Sequence, residues 1–544
     1  MRLSDYITQS LEKITDSIFL VSGGGSMYLV DSIGNSKLKS YCCHHEQACA
    51  IAAEGYARLK NDLGVSCVTT GPGGTNAITG VAASWIDGIP TMIISGQVRI
   101  ETMLKEEDKK RGLRQIGPQE LNIVDVVKPI TKYAVTVMNP NEIKYHLEKA
   151  YYLAKSGKPG PVWLDIPLDV QRAEIQEKNL KSYVIPKKEK TSMQLEEVVS
   201  ALNKAERPLM IIGQGVRLGN AVNLLWKFIE KTNINVISAM SGDDIVNFDY
   251  PYYLGHQGMT GTETANYTVD NCDLLLALGT RMQIRQTSWE YNDFCKNAVK
   301  ILVDIDSAEM DKVNFKPDIG RATDAKDFLE DLLDRDINLK RWNVEYKPIT
   351  YEDTPNYIDT YHFLEELSKK TDYPIITTDG MACETSHQAL KLKKGQRLIT
   401  NTALGEMGKG LPMAIGACAA NSKKPIICME GDGSIMMNLQ ELQTMKHHNL
   451  PLKIFLFNNG EYYSIRNTMK NYFGKVFAAD AGSGVSTPNW ENLIKGWGIK
   501  YEKIKNKNDL YKIESILNYP GPVFCELVID PQQKMLPKWS AKRE

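Results

Sequence analysis

One apolar run of the chain closes in Glu430-Gly431-Asp432-Gly433-Ser434, and the next closes in Phe457-Asn458-Asn459-Gly460. Asp432 and Asn459 are hard oxygen donors of the kind Mg²⁺ prefers alongside carbonyl and phosphate oxygens. Gly431 and Gly433 let the backbone come close to a ligand, and the helical pattern Met437 to Lys446 follows; a helix N-terminus there favours an anion. The chemistry predicted is a diphosphate bridged to the protein by a metal ion. Gly-Asp-Gly alone reads more readily as a tight turn at a strand end. The Asn pair, after 24 intervening residues, gives the segment its second ligand.

For these ligands to converge, the runs ending at Glu430 and Phe457 must be neighbouring strands of one βαβ unit, about 4.8 Å apart, with Asp432 and Asn459 leaving the same sheet edge. Similar short apolar runs recur at 66–70, 91–95, 209–213, 274–278, 301–304 and 375–378, alternating with helical patterns. This predicts an α/β fold of doubly wound parallel sheets covered on both faces. Polar, Lys-rich stretches at 176–192 and 338–355 read as linkers and divide the chain into 1–180, 190–340 and 355–544. The 544 residues are ample for three such domains, which excludes a peptide hormone or a small disulfide scaffold. Lys+Arg 65 against Asp+Glu 66 gives a net charge of -1, so nucleic acid or an anionic membrane is not the expected partner. The ten cysteines show neither CxxC nor zinc spacing and are expected to be reduced thiols. The start Met1-Arg-Leu-Ser-Asp-Tyr6 lacks a signal peptide's apolar core, and no long apolar span follows. A cytoplasmic protein is expected.

The pattern Gly431-Asp432-Gly433 with Asn458-Asn459 resembles the thiamine diphosphate (ThDP) motif, and Gly431 to Leu442 is particularly similar to acetolactate synthase and its relatives. The resemblance implies three domains, binding the ThDP pyrimidine, forming the centre, and binding the diphosphate. It also implies that Asp432, the Asn459 side chain and the Glu461 carbonyl hold Mg²⁺, with Gly431, Gly433 and Ser434 around the diphosphate. In the first segment, Glu46 opens the small-residue helix 46–58 and matches the family's activating glutamate, which tautomerises the cofactor's aminopyrimidine. Alone, it reads as a first-turn acid complementing a helix dipole. Thr70 to Gly80 and Asp87 to Gln97 follow in the family's order. In Gly405 to Gly416, Met407 would be the wedge that bends the cofactor, with Gly405, Asp379 and Gly380 about the pyrimidine; the glycines alone fit close helix packing. Because activating Glu and diphosphate site lie in different domains, the resemblance implies a site shared between subunits, hence a homodimer at least, with a homotetramer compatible.

The middle segment resembles the family's central domain through Gly213-Gln-Gly-Val-Arg217, Gly255 to Gly261 and Val303-Asp-Ile-Asp306. Acetolactate synthases bind FAD there. Here Arg281 and Arg285 keep the family's spacing, but Gln283-Ile284 replaces the Asp pair between them, which leaves FAD open and allows either arginine a surface or ion-pair role. Gln119 matches an active-site glutamine, and Gly24 and Gly25 would allow close substrate approach. Beyond the Asn pair, Ser464 and Thr468 occupy the family's Met and Trp positions, so the acceptor pocket is more polar. Tyr462, Tyr463 and Arg466 are candidate hydrogen-bond donors to a polyhydroxylated or anionic acceptor, and the tyrosines fit aromatic packing equally well. His44, His45 and His256 are candidate proton carriers, while His447 and His448 suit a helix end. The tail Gln533 to Glu544 is a candidate lid. The function expected is ThDP- and Mg²⁺-dependent decarboxylation of a 2-oxo acid, pyruvate by default, with acyl transfer to a carbonyl acceptor, either a second 2-oxo acid or a keto sugar. A simple decarboxylase releasing an aldehyde and a non-catalytic scaffold are the alternatives.

Overall fold

The computed structural model describes residues 1–187, 194–401 and 403–540. Its strands form three six-stranded parallel sheets. The first holds β1 (Ser17–Leu20), β2 (Lys39–Cys42), β3 (Gly64–Val68), β4 (Thr91–Gln97), β5 (Tyr133–Thr136) and β6 (Val162–Pro167), in the order β2-β1-β3-β4-β6-β5. The second holds β7 (Pro208–Ile212), β8 (Asn235–Ser238), β9 (Tyr253–His256), β10 (Leu274–Leu278), β11 (Val299–Asp304) and β12 (Ile319–Ala322), in the order β12-β11-β10-β7-β8-β9. The third holds β13 (Ile375–Thr377), β14 (Leu398–Thr400), β15 (Ile426–Gly431), β16 (Leu452–Asn458), β17 (Lys500–Ile504) and β18 (Val523–Val528), in the order β14-β13-β15-β16-β18-β17.

Central strands such as β3, β4, β7 and β10 are buried along their whole length, as parallel strands with helices on both faces must be. This is the α/β class expected from the alternating runs. The βαβ unit also forms, with β15 and β16 paired in parallel register and Gly431 opposite Phe457. Its helix differs from the pattern. The expected helix over 437–446 is reduced to Glu441–His447, and a separate short helix, Asp432–Ile435, precedes it. Between them the Asn438 side chain donates to the Gly408 carbonyl, 2.7 Å away, and a side chain that ties the segment to another loop competes with continuous helix.

The first and third sheets meet where helix Glu46–Lys60 crosses helix Gly410–Ala420. The crossing requires glycine twice. A Cβ on Gly55 would lie 2.2 Å from the Met413 carbonyl oxygen, and one on Gly416 would lie 1.8 Å from that of Ala52. Buried charges close the seam: Lys409 Nζ lies 3.0 Å from both Glu54 and Glu406, and Arg58 pairs with Glu54 and Asp87. Asp244, beyond β8, joins the second sheet to this seam by pairing with Arg217 and with Arg397. Such pairs are costly to break singly, since the survivor is left charged and buried.

The stretch 338–355 carries no regular element, yet it is packed rather than loose: Asn235 donates to the Trp342 carbonyl at 2.8 Å, and the Lys347 amide donates to Thr264 Oγ1 at 2.9 Å. The other expected linker, 176–192, is described only to residue 187, and 188–193 lie outside the described residues. All ten cysteines are free thiols. Among the described residues no helix is long and apolar enough to cross a membrane.

Candidate active site

A cavity of about 270 Å³ opens beyond the C-terminal ends of β13, β15 and β16, the edge at which open parallel sheets take ligands. Gly431, Asp432, Gly433 and Ser434 line it from β15, and Asn459 and Glu461 from β16. Asp432 is buried. Its Oδ1 accepts the Gly433 amide at 2.8 Å and its Oδ2 the Gly460 amide at 2.7 Å, so the carboxylate clasps the loop that carries Asn459. Burial pushes the Asp432 carboxyl up to about 7 against those amides. Asn459 Oδ1 accepts the Glu461 amide at 3.2 Å. No side chain fits at Gly433, where a Cβ would meet the Tyr462 ring at 2.2 Å.

Asp379, Gly380, Gly405 and Met407 line the same cavity from the β13 side and from the loop before helix Gly410–Ala420. Glu430 organises that loop. It receives the Leu411 amide at 3.0 Å and the Ser434 hydroxyl at 2.9 Å, while Ser434 accepts the Gly408 amide at 2.8 Å. Burial also raises the carboxyls of Glu430 to about 7 and Asp379 to about 8, the latter with help from Glu430 and Glu406. Several polar atoms here are buried without a hydrogen-bond partner, among them Thr378 Oγ1, Asp379 Oδ2 and Ser464 Oγ. Orphaned groups at one cavity are what a polar ligand would satisfy.

The remaining candidates divide. Tyr462, Ser464 and Arg285 line the cavity. Tyr463 lines it too, although its ring is core and its hydroxyl donates to the Gln533 carbonyl. Arg466 is engaged elsewhere, 2.8 Å from the Glu461 carboxylate and 3.4 Å from the Pro531 carbonyl. Thr468 donates to the Ser464 carbonyl one turn back and does not reach the cavity wall. Arg281 donates to the Ile86 carbonyl at 2.8 Å. His45 caps helix Glu46–Lys60 by accepting the Gln47 amide, and His256 is buried 3.3 Å from Asp243, which also holds His387. His448 packs against Tyr41. The tail runs as a strap: the Leu536 amide donates to Tyr361, and the Trp539 amide donates to Met259 of the central segment. Residues 541–544 lie outside the described residues. Sequence reasoning missed Glu384 and Asn401, which also line the cavity.

Glu46, Gln119, Gly24 and Gly25 gather at the first sheet instead. Gly71, with φ +60, brings the chain so near Gln119 that a Cβ would meet its carbonyl oxygen at 2.6 Å. Gly73 sits over Glu46, whose Oε2 accepts from Asn76 at 2.9 Å, and a Cβ on Gly25 would strike Thr70. Thr70 donates to Gln97 Oε1 at 2.9 Å and Gln97 donates to Asp165 at 3.1 Å, so a buried carboxyl anchors the Gln119 loop. None of these residues lines the third-sheet cavity.

Burial pushes the Asp165 carboxyl up to about 7, against hydrogen bonds from Ser95, Gln97 and Thr136. An unfolded aspartate titrates near 3.9. The folded pKa is the higher one, so this group's contribution is whole below about 4 and is lost as pH rises through 7. The unfolding free energy of Asp165→Asn, measured against the parent, is therefore expected to move in the variant's favour by about 1.4 kcal/mol per pH unit between about pH 5 and 7, then level off. Urea unfolding at four pH values checks it.

A larger cavity, about 790 Å³, lies at the second sheet between β7 and β10, where the strand order reverses. Gly213, Gly215, Gly279 and Asp304 line it, and burial raises the Asp304 carboxyl to about 6. Arg285 lines both cavities.

Residues 1–122 match the thiamine pyrophosphate enzyme N-terminal TPP binding domain, 195–332 the central domain, and 380–527 the C-terminal TPP binding domain. Over 531 residues the chain is 32% identical to the acetolactate synthase isozyme 2 large subunit of Escherichia coli (strain K12), covering 96% of this chain and 94% of that protein. It is 31% identical over 559 residues to the acetolactate synthase large subunit of Lactococcus lactis subsp. lactis (strain IL1403), covering 98% and 93%. It is 32% identical over 550 residues to the probable acetolactate synthase large subunit of Methanocaldococcus jannaschii, covering 95% and 90%.

Proposed function

Because the chain belongs to the thiamine pyrophosphate enzymes, as an acetolactate synthase-like member, we propose that it decarboxylates a 2-oxo acid, pyruvate first, and passes the acyl unit to a carbonyl acceptor. The observation that carries the reading is the clasp of Asp432 on the Asn459 loop beside two glycines, at a cavity lined with orphaned polar atoms. The residues fit the cofactor. A buried carboxylate whose charge burial disfavours is relieved by a divalent cation, so Asp432, Asn459 and the Glu461 carbonyl would hold Mg²⁺. Gly431 and Gly433 would admit the diphosphate, and Met407, Asp379 and Gly405 would surround the pyrimidine. When bound, ThDP supplies the electron-accepting ring that lets the 2-oxo acid lose CO₂ and the acyl unit attack a carbonyl.

The chain's own contributions are orientation and proton control. Glu46 would hold a proton at the pyrimidine N1′. Its separation from the cavity supports a homodimer in which Glu46, Gln119, Gly24 and Gly25 serve the neighbour's cofactor, the segments 1–180 and 355–544 acting as the two cofactor domains. The second-sheet cavity supports a nucleotide cofactor of the flavin class, with glycines at the ends of β7 and β10 and Asp304 at the end of β11. For the acceptor we favour a keto sugar over a second 2-oxo acid, supported by Ser464, whose hydroxyl faces the cavity unpaired. Purified protein given ThDP and Mg²⁺ is expected to release CO₂ from pyruvate slowly alone and faster with a keto sugar. Acetolactate as the main product in the presence of both would overturn the acceptor choice, and no release would overturn the donor.

A further inference from the structure

Among the side chains of the ThDP cavity that the cofactor reading leaves without a task are Glu384, Ser464 and Arg285. Glu384 lies on helix Gly380–Ala389, one turn after Gly380, and is 8% exposed. Its Oε2 has no hydrogen-bond partner, and neither has Ser464 Oγ. Ser464 stands close to the start of that helix, since a Cβ on Gly380 would lie 3.6 Å from its hydroxyl. Burial raises the Glu384 carboxyl, with the Lys538 and Arg285 charges opposing. An unpaired carboxyl oxygen kept out of water costs free energy until a donor reaches it.

The chemistry of the missing donor follows from what each acceptor class can offer. A second 2-oxo acid brings oxygens that only accept and offers no donor to Glu384 Oε2. A polyhydroxylated aldehyde or ketone brings hydroxyls, which donate to Glu384 Oε2 and accept from Ser464. A site built to pair a substrate hydroxyl discriminates strongly against an analogue that lacks it, because its own buried groups are then left unpaired. Arg285 enters from the central segment and carries the positive charge of the same wall.

We propose that Glu384 and Ser464 form the hydroxyl-binding wall of the acceptor subsite and select a polyhydroxylated carbonyl compound over a second 2-oxo acid. This rests on the carboligase reading above, and it assigns acceptor choice to two residues outside the ThDP and Mg²⁺ ligands.

The test offers the ThDP- and Mg²⁺-loaded protein pyruvate together with equal concentrations of dihydroxyacetone and 2-oxobutanoate, and measures the two carboligation products by mass spectrometry. The parent is expected to favour the dihydroxyacetone product at least tenfold. Glu384→Gln, which keeps the shape and removes the charge, is expected to shift the ratio toward 2-oxobutanoate at least tenfold, and Glu384→Asp to restore part of it. Ser464→Ala is expected to shift it in the same direction and decides the matter should Glu384→Gln fail to fold. A ratio unchanged in the variants, while CO₂ release from pyruvate continues, overturns the inference and leaves the decarboxylation reading standing. A second readout needs no turnover: saturation-transfer NMR of dihydroxyacetone on ThDP-loaded protein without donor is expected to show contacts that weaken in Ser464→Ala and Glu384→Gln. If pyruvate yields no CO₂, the donor assignment has failed and this contrast alone decides; equal contacts in parent and variants overturn the proposal.

Discussion

Glu46→Gln is expected to cut CO₂ release from pyruvate by about 10³-fold, the scale of a lost general acid or base. The rise in melting temperature expected from ThDP and Mg²⁺ should survive, because Glu46 lies with Gly73 and Asn76 and away from the Asp432–Asn459 loop proposed to hold the metal. The isosteric amide keeps the hydrogen bond with Asn76 available and removes only the capacity to hold a proton. A sharper form of the result tests where Glu46 acts. If each site takes Glu46 from the neighbouring subunit, mixing Glu46→Gln chains with Asp432→Asn chains assembles heterodimers with one intact site, and random reassortment of two dead proteins should recover about a quarter of parental activity. Recovery of nothing from a mixture shown to exchange subunits would place Glu46 in its own chain's site.

Asp432→Asn has the second large effect. ThDP with Mg²⁺ at a hundredfold excess over its dissociation constant should stabilise the parent by about 2.7 kcal/mol. In the variant that stabilisation is expected to vanish with the activity. The apo protein should fold as before, since the amide oxygen can still accept from Gly433 or Gly460 while a carboxyl that burial drives up to about 7 is removed. Melting curves with ThDP alone, Mg²⁺ alone and both separate loss of the metal site from loss of fold. An undiminished shift with both ligands would move the metal away from Asp432.

The Asp432–Asn459 loop, the proposed metal site, was the most legible part of the chain because its information is local. The β15 and β16 runs, their glycines and their oxygen donors all fall within 35 residues, and strand pairing does the rest. The alternation of apolar runs with helical patterns was equally readable, since burial on both faces demands it. What failed to show was anything decided by a distant partner. Arg466 reads as a donor to the acceptor and is instead held between Glu461 and the Pro531 carbonyl of the distant tail. The 338–355 stretch reads as a linker and is pinned by Asn235 and Thr264. Glu384 went unnoticed because an acid on a helix ordinarily faces water; the charges opposing its burial belong to Arg285 and Lys538, from two other parts of the chain.

The strand order of the first sheet is repeated in the third, and the repetition extends to numbering. Strands β16 and β18 span the same positions as β4 and β6, displaced by 361 residues. The same displacement carries Gly55 onto Gly416 and Ala52 onto Met413, so the two contacts at the helix crossing are one contact made twice about a local pseudo-dyad. It also carries Gly71 onto Asp432 and Glu46 onto Met407. One topology, laid down twice within a single chain, thus underlies both halves of the proposed site: at one pair of equivalent positions the Gly71 turn answers to Asp432, the proposed metal ligand, and at the other Glu46 answers to Met407. The division of labour proposed for the two domains is then a difference of side chains at matched positions.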